Sequence, residues 1–269
     1  MSTTRHNPCA TCGRCCRSYV VPVCGYDVWL ISTTQRLSPA SFLVACPQQE
    51  PTGEGFRLER DGPTFFLALD KQGRFAIKAP CVFLVRLAGG HERCGIYGHR
   101  PVVCQAYPMQ PGDGGLHQRP DALCPPGAWP EATLAWPAWR LALQRQRMHF
   151  DVYAVVIARW NERVARAEPG DTFRLQEFSS YLLNVYDRLA ALGRQMGAAA
   201  MAEIERTWGS RPGATGDGQE AAAAAGPAPW LDYLLRVRAV VERFYPELPP
   251  LRPPPQAVGS AAAAAAPRQ

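Results

Sequence analysis

The chain has 269 residues, 47% hydrophobic and 19% charged, with net charge +6, the profile of a soluble globular protein of one or two domains. The positive charge comes from 27 Arg and 2 Lys (Lys71 and Lys78) without a basic run, so nucleic acid is not expected as a partner. Apolar stretches such as Val152 to Ala158 fall far short of the roughly 20 residues a spanning helix needs, and Ser2 to Asn7 is polar where a secretory leader would be apolar. No membrane is expected, and a cytoplasmic location is.

From the N-terminus, Ser18 to Val23 is predicted extended, and Asp27 is placed to cap a short helix carrying Val28, Trp29, Leu30 and Ile31. Ser38-Pro39 has the chemistry of another helix start. Thr64 to Leu69 and Arg74 to Ala79 are β-rich runs around Asp70-Lys71-Gln72-Gly73, which predicts a hairpin that delivers Cys81.

After Cys124-Pro125-Pro126 the pattern changes to helical spacing. Phe150, Tyr153, Ile157, Trp160 and Val164 share one face, and Phe178, Leu182, Val185, Leu189 and Leu192 share another. A last helix is predicted from Leu231, Leu234, Val237, Val241 and Phe244. The expected fold class is α+β: a small irregular cysteine-rich metal-binding domain (1–128) followed by a helical region (129–208). A flexible linker (209–229), a C-terminal helix (230–248) and a disordered tail (249–269) complete it.

All 10 cysteines lie in the first 124 residues. In a reducing cytosol such a set points to metal or redox work rather than disulfides. Cys9, Cys12, Cys15 and Cys16 form C-x2-C-x2-C-C, a spacing that turns sulfurs toward one point while backbone N–H groups face the thiolates. Cys81, Cys94, Cys104 and Cys124 follow, separated by 12, 9 and 19 residues. These eight are the candidate ligands.

Cys94 precedes Gly95, Cys104 follows a helix start at Arg100-Pro101, and Cys124 precedes Pro125. Eight cysteines permit two four-thiolate sites, or one centre with four other thiols, and shared sites with ligands drawn from both sets are expected. Cys15 and Cys16, being consecutive, are expected to diverge, with one facing a second site or staying free.

These residues resemble the bacterial cysteine-cluster family (YkgJ-type), a zinc- or iron-chelating domain named for its C-x2-C-x2-C-C motif. The resemblance rests on that motif, on Asp27 after an extended segment, and on Cys81-Val82-Phe83-Leu84, Cys94-Gly95-Ile96-Tyr97 and Arg100-Pro101-Val102-Val103-Cys104, ending at Tyr107-Pro108. It covers about Pro8 to Cys124. It implies metal chelation by these cysteines, with no assigned biological role. The cluster is also similar to one in flagellin lysine N-methylases, which implies an iron-sulfur cluster and an alternative activity as a protein lysine N-methyltransferase. This sequence departs from that activity in having no G-x-G-x-x-G or comparable loop for a methyl donor.

Four thiolates give a net charge of about −2 around either Zn²⁺ or a [4Fe-4S]²⁺ core, so the centre needs donors and cations. Arg14, Arg17, Arg93 and Arg100 lie near the cysteines, and Arg100, inside the motif, is the candidate cofactor-binding cation. Soft thiolates suit zinc and iron-sulfur alike, and the three cysteines spaced by two tilt the expectation to an iron-sulfur cluster.

Cys24 and Cys46 are expected to be packed structural thiols, and His91 and His99 to be exposed side chains rather than ligands. Tyr97 and Tyr107 are expected to pack with their hydroxyls satisfied. Trp129, Trp136, Trp139 and Trp160 are expected to pack the helical half against the cysteine domain, and that half is a candidate docking surface for a protein partner.

Overall fold

In a computed structural model the β-branched and aromatic run Thr64–Leu69 becomes β3, the middle strand of a three-stranded antiparallel sheet. The structure describes residues 12–48, 55–73, 79–112, 115–130, 134–208 and 228–244. β1 (Leu43–Pro47) pairs with β3 from Leu43↔Leu69 to Pro47↔Phe65, and β2 (Phe56–Arg57) pairs with its other edge at Phe56↔Phe65. Two small antiparallel pairs follow, β4 (Leu84–Arg86) with β5 (Glu92–Cys94) and β6 (Met109–Gly112) with β7 (Gly115–Gln118).

The expected hairpin partner of β3, at 74–79, falls largely on residues 74–78, outside the described residues. The return of the chain is still visible. Gly73 turns with φ +84°, the Gln72 N–H donates to the Pro80 carbonyl at 2.8 Å, and Lys71 bridges Cys81 antiparallel.

The described residues hold seven α-helices: α1 (Arg14–Ser18), α2 (Gly25–Gln35), α3 (Val102–Ala106), α4 (Trp136–Ala165), α5 (Leu175–Met196), α6 (Ala198–Thr207) and α7 (Pro229–Phe244). The architecture is therefore α+β, with the helical region following the cysteine-bearing part. None of the described helices is long and apolar enough to cross a membrane.

Ser38-Pro39 opens a single 3₁₀ turn, Pro39–Ser41. Helix α6 falls inside the expected helical region (129–208) without having been singled out; Gly197, at φ +87°, ends α5 and lets the alanine-rich segment restart as a helix. In α7 the inward stripe is Tyr233, Val237 and Val241, while Leu231 is 37% exposed. The predicted linker and tail lie outside the described residues, apart from Ala228 and Pro229.

Front and back halves share one core. Trp160 of α4 is buried against Phe173, Phe178 and Tyr181, and Phe178 stacks on Phe56 of β2 at 4.1 Å. Burying a side chain such as Phe178 contributes about 2–3 kcal/mol.

Polar groups fix the angle of this packing. Trp160 Nε1 donates to the Arg57 carbonyl at 2.7 Å, and Asn161 serves the exposed edge of β2 as a surrogate strand. It accepts from the Arg57 N–H and donates to the Gly55 carbonyl, both at 2.9 Å, satisfying backbone groups that an edge strand leaves unpaired. Helix α3 packs on α4 and α2 on α5, so the long helices form the wall behind the cysteine-bearing loops.

Candidate metal centre

Gly13, in the left-handed region at φ +65°, turns the chain into α1 and brings Cys15 and Cys16 to the front of that short helix. Arg17 then ties α1 to β5 through a forked ion pair with Glu92, at 2.8 Å from its Nε. The Cys81 N–H donates to the Cys16 carbonyl at 2.7 Å, which fixes the second stretch of cysteines to the first. Cys94 ends β5 opposite Leu84, Cys104 rides on α3, and Cys124 follows β7.

Asp27 was expected to cap its own helix. The N-cap is Cys24, and Asp27 is the third-residue partner of a capping box, accepting from the Cys24 N–H at 3.1 Å and from its thiol at 3.3 Å. Its other oxygen accepts the Val102 N–H of α3 at 2.9 Å. Asp27, 1% exposed, thus sets α3, and Cys104 with it, against α2. Burial raises its carboxyl to about 6, against the two N–H groups that pull it down.

One cavity of about 390 Å³ gathers the thiols. Cys12, Cys15 and Cys16 line it from the first stretch, and Cys81, Cys94, Cys104 and Cys124 from the second. Cys9 lies outside the described residues. Among the described residues no His, Asp or Glu lines this cavity, so its donors are sulfur, with Arg100 beside them and an apolar wall that includes Leu143 of α4. Cys24 is fully buried and Cys46 half-buried, both outside the cavity lining. His91 and His99 are exposed and also outside it.

Cys15 and Cys16 do not diverge. At the start of a helix consecutive side chains differ by only about 100° rather than the 180° of a strand, and the Cys16 thiol donates to Cys15. That bond is the main cause holding Cys15 down to about 7, with the Cys16 N–H and the Arg100 charge adding to it. Donating it pushes Cys16 up.

Burial pushes Cys81 up to about 11, against the Phe83 N–H and the Lys71 charge, and raises Cys94 and Cys104, which feel their neighbouring thiols as well. Cys124 is raised by burial and held back by the Trp129 indole N–H, at 3.3 Å, and by the Tyr107 hydroxyl. Trp129 is a residue beside sulfur that sequence reasoning missed. Its signal was a tryptophan just after the Pro125-Pro126-Gly127 turn.

The four arginines near the cysteines separate. Arg100 stacks over the Tyr97 ring at 4.0 Å, its charge acts on Cys15, Cys94 and Cys104, and among the described residues its buried Nε has no hydrogen-bond acceptor. Arg14 lines the cavity. Arg17 is occupied by Glu92, and Arg93 is exposed on β5 and outside the cavity lining. Tyr107 packs edge-on to Tyr19 at 5.8 Å, its oxygen accepting the Leu123 N–H at 2.7 Å. Trp129 meets Trp139 at 5.3 Å.

A sulfur-only donor set with an adjacent cation fits a soft metal centre, zinc or iron-sulfur. Among the described residues no three Cys, His, Asp or Glu side chains crowd tightly enough to hold a single ion; the thiols stand around the cavity instead. No curated protein and no solved structure matches the chain. Residues 8–125, the stretch that supplies every cysteine of the cavity, match a family model, CxxCxxCC, described as a "Putative zinc- or iron-chelating domain", which supports metal chelation by these cysteines.

Proposed function

We propose that this chain is a thiolate metal-binding protein whose cavity takes an iron-sulfur cluster, with zinc the other metal its donors accept. The observation that carries the reading is the gathering of thiols from two distant stretches on one cavity, with no His or carboxylate lining it among the described residues. The preference for iron-sulfur over zinc follows the three cysteines spaced by two, which resemble the start of a ferredoxin-type run. When bound, such a cluster supplies one-electron redox chemistry.

The protein's own residues do the rest. Cys15, Cys81, Cys94 and Cys104 act on one another electrostatically and form the proposed inner ligand set. The Cys124 thiol feels those of Cys15 and Cys12, so Cys12 and Cys124 are ligands of a further part of the cavity, and Cys9 is a proposed ligand by its place in the motif alone. Cys16 donates its thiol proton to Cys15, or becomes a ligand itself once that proton leaves. Arg100 offers its unsatisfied Nε–H to the anionic centre as a charge-assisted donor, and Trp129 and Tyr107 orient Cys124.

Anaerobic purification of the full chain, followed by elemental analysis and an absorption spectrum, tests the reading. The expected result is bound iron and labile sulfide with visible sulfur-to-iron absorbance. Zinc without iron would replace the cluster by the zinc form, and metal-free protein that takes up neither would refute the reading.

A further inference from the structure

Lys71, one of two lysines in the chain, is only 7% exposed. A buried ammonium is costly unless an opposite charge compensates it. Among the described residues its Nζ has one hydrogen-bond partner, the Tyr19 carbonyl at 2.6 Å, a neutral group. The adjacent buried carboxylate, Asp70, uses one oxygen to accept the Lys71 backbone N–H at 2.7 Å, and in an extended segment successive side chains point to opposite faces.

Three connections tie Lys71 to the elements that carry the thiols. Lys71 bridges Cys81 through the backbone, Cys81 donates its N–H to Cys16, and Tyr19 is the C-cap of α1, the helix carrying Cys15 and Cys16. Lys71 does not itself line the cavity.

We infer that Lys71 is the buried counter-charge of the thiolate centre, a positioning residue that acts through Cys81 and is compensated when the sulfur donors become anionic on binding metal. The inference rests on the reading above and adds to it a cation outside the cavity that favours the loaded state. A thiolate centre carrying net negative charge gains from a fixed cation held in low dielectric. The same cation burdens the empty protein. Removing it should therefore act with opposite sign on the two forms, which a purely structural tie to Tyr19 would not do.

The test uses full-length Lys71→Met and Lys71→Gln, the second keeping an N–H for the Tyr19 carbonyl. Zn²⁺ alone is titrated against a chromophoric chelator, and the metal-free proteins are melted in excess chelator. The expected result is Zn²⁺ affinity about 10–100-fold below wild type, the usual loss when an outer partner of a metal site is removed, with metal-free melting of Lys71→Gln unchanged or raised. Unaltered Zn²⁺ affinity in variants of a wild type that does bind would overturn this inference alone. Metal-free variants that melt lower, or fail to fold, would make Lys71 a structural tie and overturn it too. A wild type that takes up neither zinc nor iron removes the reading and the inference together.

Discussion

At Asp27 two demands oppose each other: burial favours the neutral acid, while the Cys24 and Val102 N–H groups favour the carboxylate, and the balance stands at about 6. That lies above the roughly 3.9 of an unfolded Asp, so the folded state holds the proton more tightly. The stabilising contribution is complete below about pH 4 and is lost as pH rises through about 6. Two units correspond to about 3 kcal/mol.

Urea unfolding of metal-free wild type and Asp27→Asn at several pH values checks this. Wild type should lose about 3 kcal/mol relative to the variant between pH 4 and pH 7, on top of a constant cost for the disturbed hydrogen bonds to Cys24 and Val102. A difference that does not change with pH would contradict the assignment. Asp27 was legible as part of a helix start. Its second role was not, because the Val102 N–H it accepts lies 75 residues away, and a one-dimensional pattern does not report which loop returns to a helix end.

Among the elements, α1 depends most on a single backbone position. Gly13 sits at φ +65°, and a Cβ there would come within 2.8 Å of Glu92 Oε2 and 3.3 Å of Leu84 Cδ1. Gly13→Ala should cost about 1–2 kcal/mol from the left-handed backbone, and it should loosen the tie between α1 and the β4–β5 pair. Urea midpoints of metal-free protein measure it; a loss under about 0.5 kcal/mol would show that the turn relaxes freely.

The long helices were legible because they bury a stripe of the right period: Tyr153, Ile157, Trp160 and Val164 in α4, and Phe178, Leu182, Val185 and Leu189 in α5. Helix α6 lay inside the expected helical region but its own bounds were not legible, because Ala198 to Met201 carry almost no periodic signal. In α7 the face was misjudged at Leu231, since a short helix with apolar residues on several sides lets packing of Tyr233 against Trp208, at 6.2 Å between rings, decide its rotation.

On the scale of the whole molecule, metal and hydrophobic core divide the labour. Metal ligation contributes folding free energy where a segment has little core of its own. The structure shows Val23, Val28, Phe42, Phe56 and Leu67 of that half buried in the same core as Trp160 and Phe178. Chelation should therefore loosen the loops bearing Cys81, Cys94 and Cys104 more than it disturbs the sheet or the helical wall. The cysteine motif was legible as metal chemistry from its spacing. That both sets share a site was expected; the means by which the chain brings them together was not legible, since it requires the Lys71–Cys81 bridge, the Asp27–Val102 hydrogen bond and the α3–α4 packing to act together.

The central claim is that thiols from both stretches serve one centre, and differential alkylation of metal-loaded and chelator-stripped full-length protein, mapped cysteine by cysteine by mass spectrometry, tests it most directly. The account predicts that loading protects Cys15 together with Cys81, Cys94 and Cys104 while leaving Cys46 unchanged. Protection confined to Cys9, Cys12, Cys15 and Cys16, or equal labelling of every cysteine in both states, would contradict it.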